Sequence, residues 1–329
     1  MKNYQKKISE IRKELIPHLP ADFYVKNRYR LCYLFSAILY ALFHFILTNK
    51  LIYSDHPNWI LYSISAFVLA NLGTFFFFTA HEAMHFSICR SVWMNRLIAF
   101  ISTVPSLITP EVWLKWHRHH HTYTGMKQDM DRMRHPQFDD FSRKSIRIFD
   151  RLMNFNYKNI YSYLISFNVI CFSHLGMFVE GILRKSEFKI NRNKAIFEVI
   201  VGSAIFFFPL VLFPFKLCFL GFYLPIIFSN LICGLYIVTN HMDNGLNDKN
   251  YPLFNSTSVS IFWGISHMGF GRHVEHHIFP EVTHDKLKAI TFLLRKNYPN
   301  EFKERSLFQA LHSIWKKDKK NLIVLSPSE

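Results

Sequence analysis

The chain has 329 residues and a formal charge of +16; half of its residues are apolar, with 35 Phe gathered in long uncharged runs. That composition argues against an ordinary soluble globular protein and for a membrane protein. The basic residues flank apolar segments and no nucleic-acid motif accompanies them, so the charge reads as membrane orientation and no nucleic-acid partner is expected.

Met1–Arg30 carries eight Lys/Arg and reads as a basic arm; it has no short apolar stretch with a small-residue cleavage site, so a cleaved signal is not expected. A helix needs about 20 apolar residues to cross a hydrocarbon core of about 30 Å. Four stretches supply them, roughly 31–48, 59–80, 195–213 and 217–239. Two others are ambiguous: 96–109 is short and contains Pro105, and 159–183 carries His174 and Glu180. Charge decides between the alternatives. Met1–Arg30, Arg184–Lys194 and the tail after Lys249 are rich in Lys/Arg, whereas Asn49–Asn58 and Pro214–Lys216 are not, so the rich segments are assigned to the cytosol. An even number of crossings must then separate the first two, and the expectation is that neither ambiguous stretch crosses and both lie at or dip into the cytosolic interface. Beyond Asn240, Thr283–Asn297 and Lys303–Lys317 read as amphipathic helices with basic outer faces. The expected fold is therefore all-α and integral to the membrane, with four transmembrane helices in two hairpins, interfacial helices and a cytosolic helical cap. Along the chain this gives a basic arm (1–30), a membrane catalytic region (31–290) and a helical tail (291–329). Cys32, Cys89, Cys171, Cys218 and Cys233 are scattered, form no Cys-x-x-Cys pair and read as small apolar residues.

"TAHEAMHF" at Thr79–Phe86 contains His-Glu-Ala-Met-His, the short pattern by which zinc peptidases hold a metal. Alone it names a geometry: His81 and His85 project from one helix face and can hold any metal that accepts imidazole. Two further boxes accompany it, "HRHHH" at His117–His121 and "HVEHH" at His273–His277. In each, positions i, i+3 and i+4 share one face, so His117, His120 and His121, and likewise His273, His276 and His277, are expected to aim at one region. His119 falls off that face. Each box lies just beyond an apolar segment, on the side assigned to the cytosol. A lone His-x-x-x-His is usually structural, but three boxes at one membrane edge are not readily coincidence. Eight imidazoles are too many for one zinc and suit two ions of a metal content with five or six ligands. Iron is the usual choice for oxygen chemistry on unactivated carbon, and a dinuclear iron site is inferred.

The three boxes, with flanks "WHRHHHTYTG" at Trp116–Gly125 and "HVEHHIFP" at His273–Pro280, resemble those of the membrane fatty acid desaturase and hydroxylase superfamily over about residues 30–290. The resemblance implies a non-haem di-iron centre, O2 as co-substrate, and the eight box histidines as ligands. It also implies a ninth histidine at the cytosolic end of the last span, where "TNHMDNG" places His241. Related enzymes carry an Asn four residues before this His; here that position is Ile237 and Asn240 is adjacent. Glu82, Asp129, Asp131, Asp243 and Glu275, with Asn240, are candidates for the hydrogen bonds that fix histidine tautomers. His267 and His284 flank the third box and read as supporting residues. His174 reads as a hydrogen-bonded structural histidine, and His18, His44, His56, His135 and His312 as ordinary ones.

The implied reaction is O2-dependent removal of two hydrogens from a fatty acyl or lipid chain. A hydroxylase or ketolase of a fatty acid, alkane or carotenoid is the alternative within the superfamily. An intramembrane zinc peptidase with Glu82 as base is a remote one, since it leaves most box histidines unused. A non-catalytic metal transporter predicts boxes inside the spans, whereas they lie beyond them. No His-Pro-Gly-Gly haem segment is present, so an external electron donor, a ferredoxin or cytochrome b5, is implied. The expected location is the inner membrane in a bacterium or the endoplasmic reticulum in a eukaryote, with the boxes on the cytosolic side.

Overall fold

A computed structural model describes residues 2–26, 28–124, 182, 189–241, 257–260, 267 and 269–316. Asp129, Asp131, Asp243, His135, His174 and, apart from Ile182, the 159–183 stretch lie outside the described residues. In chain order the helices are α1 (Lys2–Leu15), α2 (Tyr29–Ile52), α3 (Trp59–Met84), α4 (Val92–Thr103) and α5 (Pro110–Tyr123). Then come α6 (Arg192–Phe207), prolonged by the turn Pro209–Leu212, and α7 (Leu224–His241), reached through Phe215–Cys218 and a π-turn at Phe219–Tyr223. The remainder is β1 (Ser258–Ser260), α8 (His273–Ile278), α9 (Lys288–Asn297), β2 (Glu304–Ser306) and α10 (Leu307–Lys316).

Among the described residues four helical runs are long and apolar enough to cross a membrane: Tyr29–Ile52, Trp59–Met84, Arg192–Leu212 and Phe215–His241, of 24, 26, 21 and 27 residues. At about 1.5 Å per residue even the shortest reaches the thickness of a hydrocarbon core, about 30 Å. These are the four spans read from the sequence, each a few residues longer. Their outer faces carry exposed Phe35, Leu42, Ile46, Ile60, Phe67, Phe197 and Val211, a surface suited to lipid.

The described chain divides into two compact units. One comprises Lys26–Lys115 and Ile170–Gly234. In it two of the helices begin on side-chain caps: Asn58 accepts from the Leu61 N–H (3.0 Å) and Asn191 from the Lys194 N–H (3.1 Å). Between α2 and α3, buried His44 meets Ser65 (2.8 Å) and Thr48 (3.2 Å), which makes it a structural histidine. Gly73 lets α3 approach Ser229 of α7 so closely that a Cβ would collide with the serine side chain, a small-residue contact typical of membrane helices. The stretch 96–109 is no straight span. Pro105 lies in a 3-10 turn, Leu107 adopts left-handed backbone (φ 51°), and the chain turns by 98° into α5.

The other unit comprises Met1–Val25, Trp116–Val169 and Leu235–Glu329. Its core joins Ile8, Ile11, Leu15 and Phe23 from the N-terminal segment to Val274, Ile278, Phe279, Leu287, Ile290 and Leu294. Met1–Arg30 therefore supplies more than charge: α1 buries an apolar stripe at 8, 11 and 15 and seats it on the third box. Arg12 pairs with Glu281 and lies over the Phe279 ring. A two-stranded parallel pairing, β1 with β2, adds a small sheet to an otherwise helical fold. It takes residues 304–306 out of the expected Lys303–Lys317 helix, and the expected helix at Thr283 begins at Lys288 after a series of turns.

Candidate metal centre

The first box ends α3. His81 is buried in its last turn and His85 caps it, their rings 5.0 Å apart. Trp113 stacks on Phe77 (5.1 Å) and lies 6.2 Å from His81, an apolar wall beside the pair. Glu82 turns to Arg30 at the start of α2, receiving hydrogen bonds of 2.9 and 2.7 Å with both side chains fully buried. Such a bidentate pair is strong where water is excluded and ties the box-bearing end of α3 to α2.

The second box lies on α5 and the third on α8, and each of them divides its histidines. His120, His241, His273 and His277 form one group, with one ring nitrogen from each within 4.8 Å of all the others. His117, His121 and His276 meet by the same measure in another. Helical geometry explains the division. At about 100° per residue, positions i and i+4 lie about 40° apart while i+3 and i+4 diverge by about 100°. So His117 and His121 face one group and His120 the other, whereas His273 and His277 face the second and His276 the first. The expectation that a box aims all three rings at one region is corrected accordingly. His241, at the end of α7, joins the second group.

The donor set fits a metal. In the second group His273 Nε2 lies 2.6 Å from His241 Nε2 and 3.0 Å from His277 Nε2; in the first, His121 Nε2 lies 3.1 Å from His117 Nε2 and 3.2 Å from His276 Nε2. A neutral imidazole carries one ring proton, so hydrogen bonds among these atoms leave lone pairs converging on a common point, the arrangement a cation satisfies. Burial pushes His273 and His277 well below the ordinary imidazole range and the neighbouring imidazoles push the same way, so both rest as the neutral base that a metal accepts. Among the described residues neither group includes a thiolate or carboxylate, a donor set that suits imidazole-loving metals.

Residues without a spacing signature complete the surroundings. Thr124 donates its hydroxyl proton to the His120 carbonyl (2.7 Å), so towards His277 Nδ1 (3.1 Å) it can only accept. That puts the His277 proton on Nδ1 and leaves Nε2 free for the group. Glu275 is buried between box histidines, and its carboxylate accepts from Ser258 of β1 and Thr291 of α9. Burial raises its pKa and these two hydroxyls oppose the rise. Asn240 is buried and its carbonyl accepts from Thr257 N–H (2.9 Å). His284 stacks on His276 (4.9 Å), His267 meets the Tyr236 hydroxyl (2.7 Å), and His119 stacks on Tyr123 (4.2 Å) outside both groups.

Comparison with known proteins gives one family. No curated protein matches the chain. The family model described as fatty acid desaturase matches residues 57–306, a segment that contains all three boxes and His241 and makes up well over half of the 329 residues. The four apolar helices and the two imidazole groups are the physical counterpart of that match in the molecule, and the chain belongs to the fatty acid desaturase family.

Proposed function

We propose that the protein is an O2-dependent desaturase of a fatty acyl or lipid chain, holding two non-haem iron ions on the cytosolic side of its membrane. In this reading the eight box histidines and His241 supply the ligands, and His120, His241, His273 and His277 hold one of the two ions. The observation that carries the proposal is the pair of converging histidine groups, within a chain whose family is that of the fatty acid desaturases. Two irons so held supply oxygen activation strong enough to take hydrogen from an unactivated methylene.

The chain's own residues prepare that chemistry. Burial keeps His273 and His277 neutral, Thr124 fixes the His277 tautomer, and Trp113 with Phe77 excludes water beside His81 and offers an apolar wall to an alkyl chain. Reduction of O2 to two waters takes four electrons; forming one double bond yields two, and an external donor such as a ferredoxin or cytochrome b5 supplies the others. Exposed Lys288 and Lys296 on α9 give such a donor a basic surface to approach. A zinc peptidase is disfavoured because Arg30 already engages the Glu82 carboxylate that would have to serve as base.

Lipid profiling of cells with and without the gene tests the reaction and the substrate together. A product two hydrogens lighter than its precursor is expected. A product heavier by oxygen would assign a hydroxylase or ketolase instead, and an unchanged profile would refute lipid oxidation.

A further inference from the structure

The helix that bears the second box begins in an unusual way. The first N–H groups of any helix lack an intrahelical acceptor, and the residue just before the helix ordinarily supplies one. Before α5 that residue is Thr109, whose Oγ1 is buried without a hydrogen-bond partner. The acceptor comes instead from α6, where Glu198 Oε2 takes the Glu111 N–H at 2.7 Å. The favour is returned at the start of α6. Glu111 Oε1 accepts the N–H of Asn191, the capping residue of α6, at 3.3 Å, and Glu111 Oε2 accepts Lys194 Nζ at 3.0 Å. Lys194 also lies 3.5 Å from Glu198, so one ammonium sits between two buried carboxylates. The two helices thus exchange carboxylates at their N-termini, the reciprocity of a capping box carried out between helices far apart in sequence.

We propose that Glu198, with Glu111 and Lys194, positions the second histidine box. α5 is one continuous helix from Pro110 to Tyr123, so a tether on its first turn sets the rotation of His117, His120 and His121 about the helix axis. That rotation decides which group each ring faces, since His120 and His121 point about 100° apart. Packing alone lets a helix roll by a fraction of a turn; a hydrogen bond from a backbone N–H to a fixed carboxylate does not. The inference rests on the metal-binding reading above.

The test is iron titration of the purified full-length protein, with Tm measured in parallel, for wild type, Glu198→Gln, Glu198→Asp and Tyr62→Phe. Gln keeps the reach and an oxygen that accepts the Glu111 N–H; Asp keeps the charge and loses a methylene of reach. A positioning role predicts iron affinity near wild type for Gln and a fall of about 10- to 100-fold for Asp, the size seen when a ligand's support is removed. Tyr62→Phe, which deletes a hydrogen bond to the Leu220 carbonyl in the same unit, serves as a control, expected to lower Tm without moving iron affinity. An Asp variant that binds iron like wild type, a Gln variant that loses it, or a control that loses it equally overturns the inference. A wild type that binds no iron overturns the metal-binding reading together with this one.

Discussion

His277 can offer Nε2 to a metal in only one of its neutral tautomers, and a single hydroxyl selects it. Thr124 spends its proton on the His120 carbonyl and so accepts from His277 Nδ1. Thr124→Val should therefore weaken iron binding about 10- to 100-fold, and Thr124→Ser should restore it, as read by iron titration of the purified protein. The box histidines stood out in the sequence because they recur at helical spacing, whereas His241 came only from the resemblance to the desaturase superfamily. Thr124 was not, since a threonine near a helix end has no pattern that sets it apart. Arg30 was hidden for a related reason: in sequence it is one more cation in a basic segment, and only the fold brings it to Glu82, fully buried.

Among the elements, α1 shows how far patterning could be read. Its apolar positions 8, 11 and 15 are spaced for one face of a helix, yet the surrounding lysines and arginines made the segment look like an arm. In the structure Leu15 is fully buried against the core that carries the third box. Leu15→Ala should cost about 2–5 kcal/mol, seen as a lower Tm of the full-length protein. The paired strands β1 and β2 had no such signal, because three residues are too few to establish an alternation. They matter even so: Ser258 of β1 reaches Glu275 and the Val274 N–H on α8. A six-residue helix has little stability of its own, and these contacts help to hold it. The bend before α5 was foreshadowed by Pro105, although its angle of 98° was not.

For the molecule as a whole, four apolar helices and a family match are established, while sidedness is a proposal resting on charge. The turn between α2 and α3 is assigned to the non-cytosolic face. Ser54 is exposed in it, so in sealed membrane vesicles whose cytosolic face is outward Ser54→Cys should react with a membrane-impermeant thiol reagent only after the membrane is opened; labelling of the introduced cysteine in the sealed vesicles would reverse the topology. The number of spans was readable because lipid imposes length and apolarity on each of them. The partition of histidines into two groups was not, because it depends on how helices meet, and composition carries no record of that.

The way α5 and α8 deal their rings between two groups has one more implication. If the protein holds two irons as proposed, neither helix would serve a single ion, so the first to arrive would draw both into register and prepare a berth for its companion. Uptake should then be steep, with few half-filled molecules, and a solitary iron would seldom be left to meet oxygen with the other seat vacant.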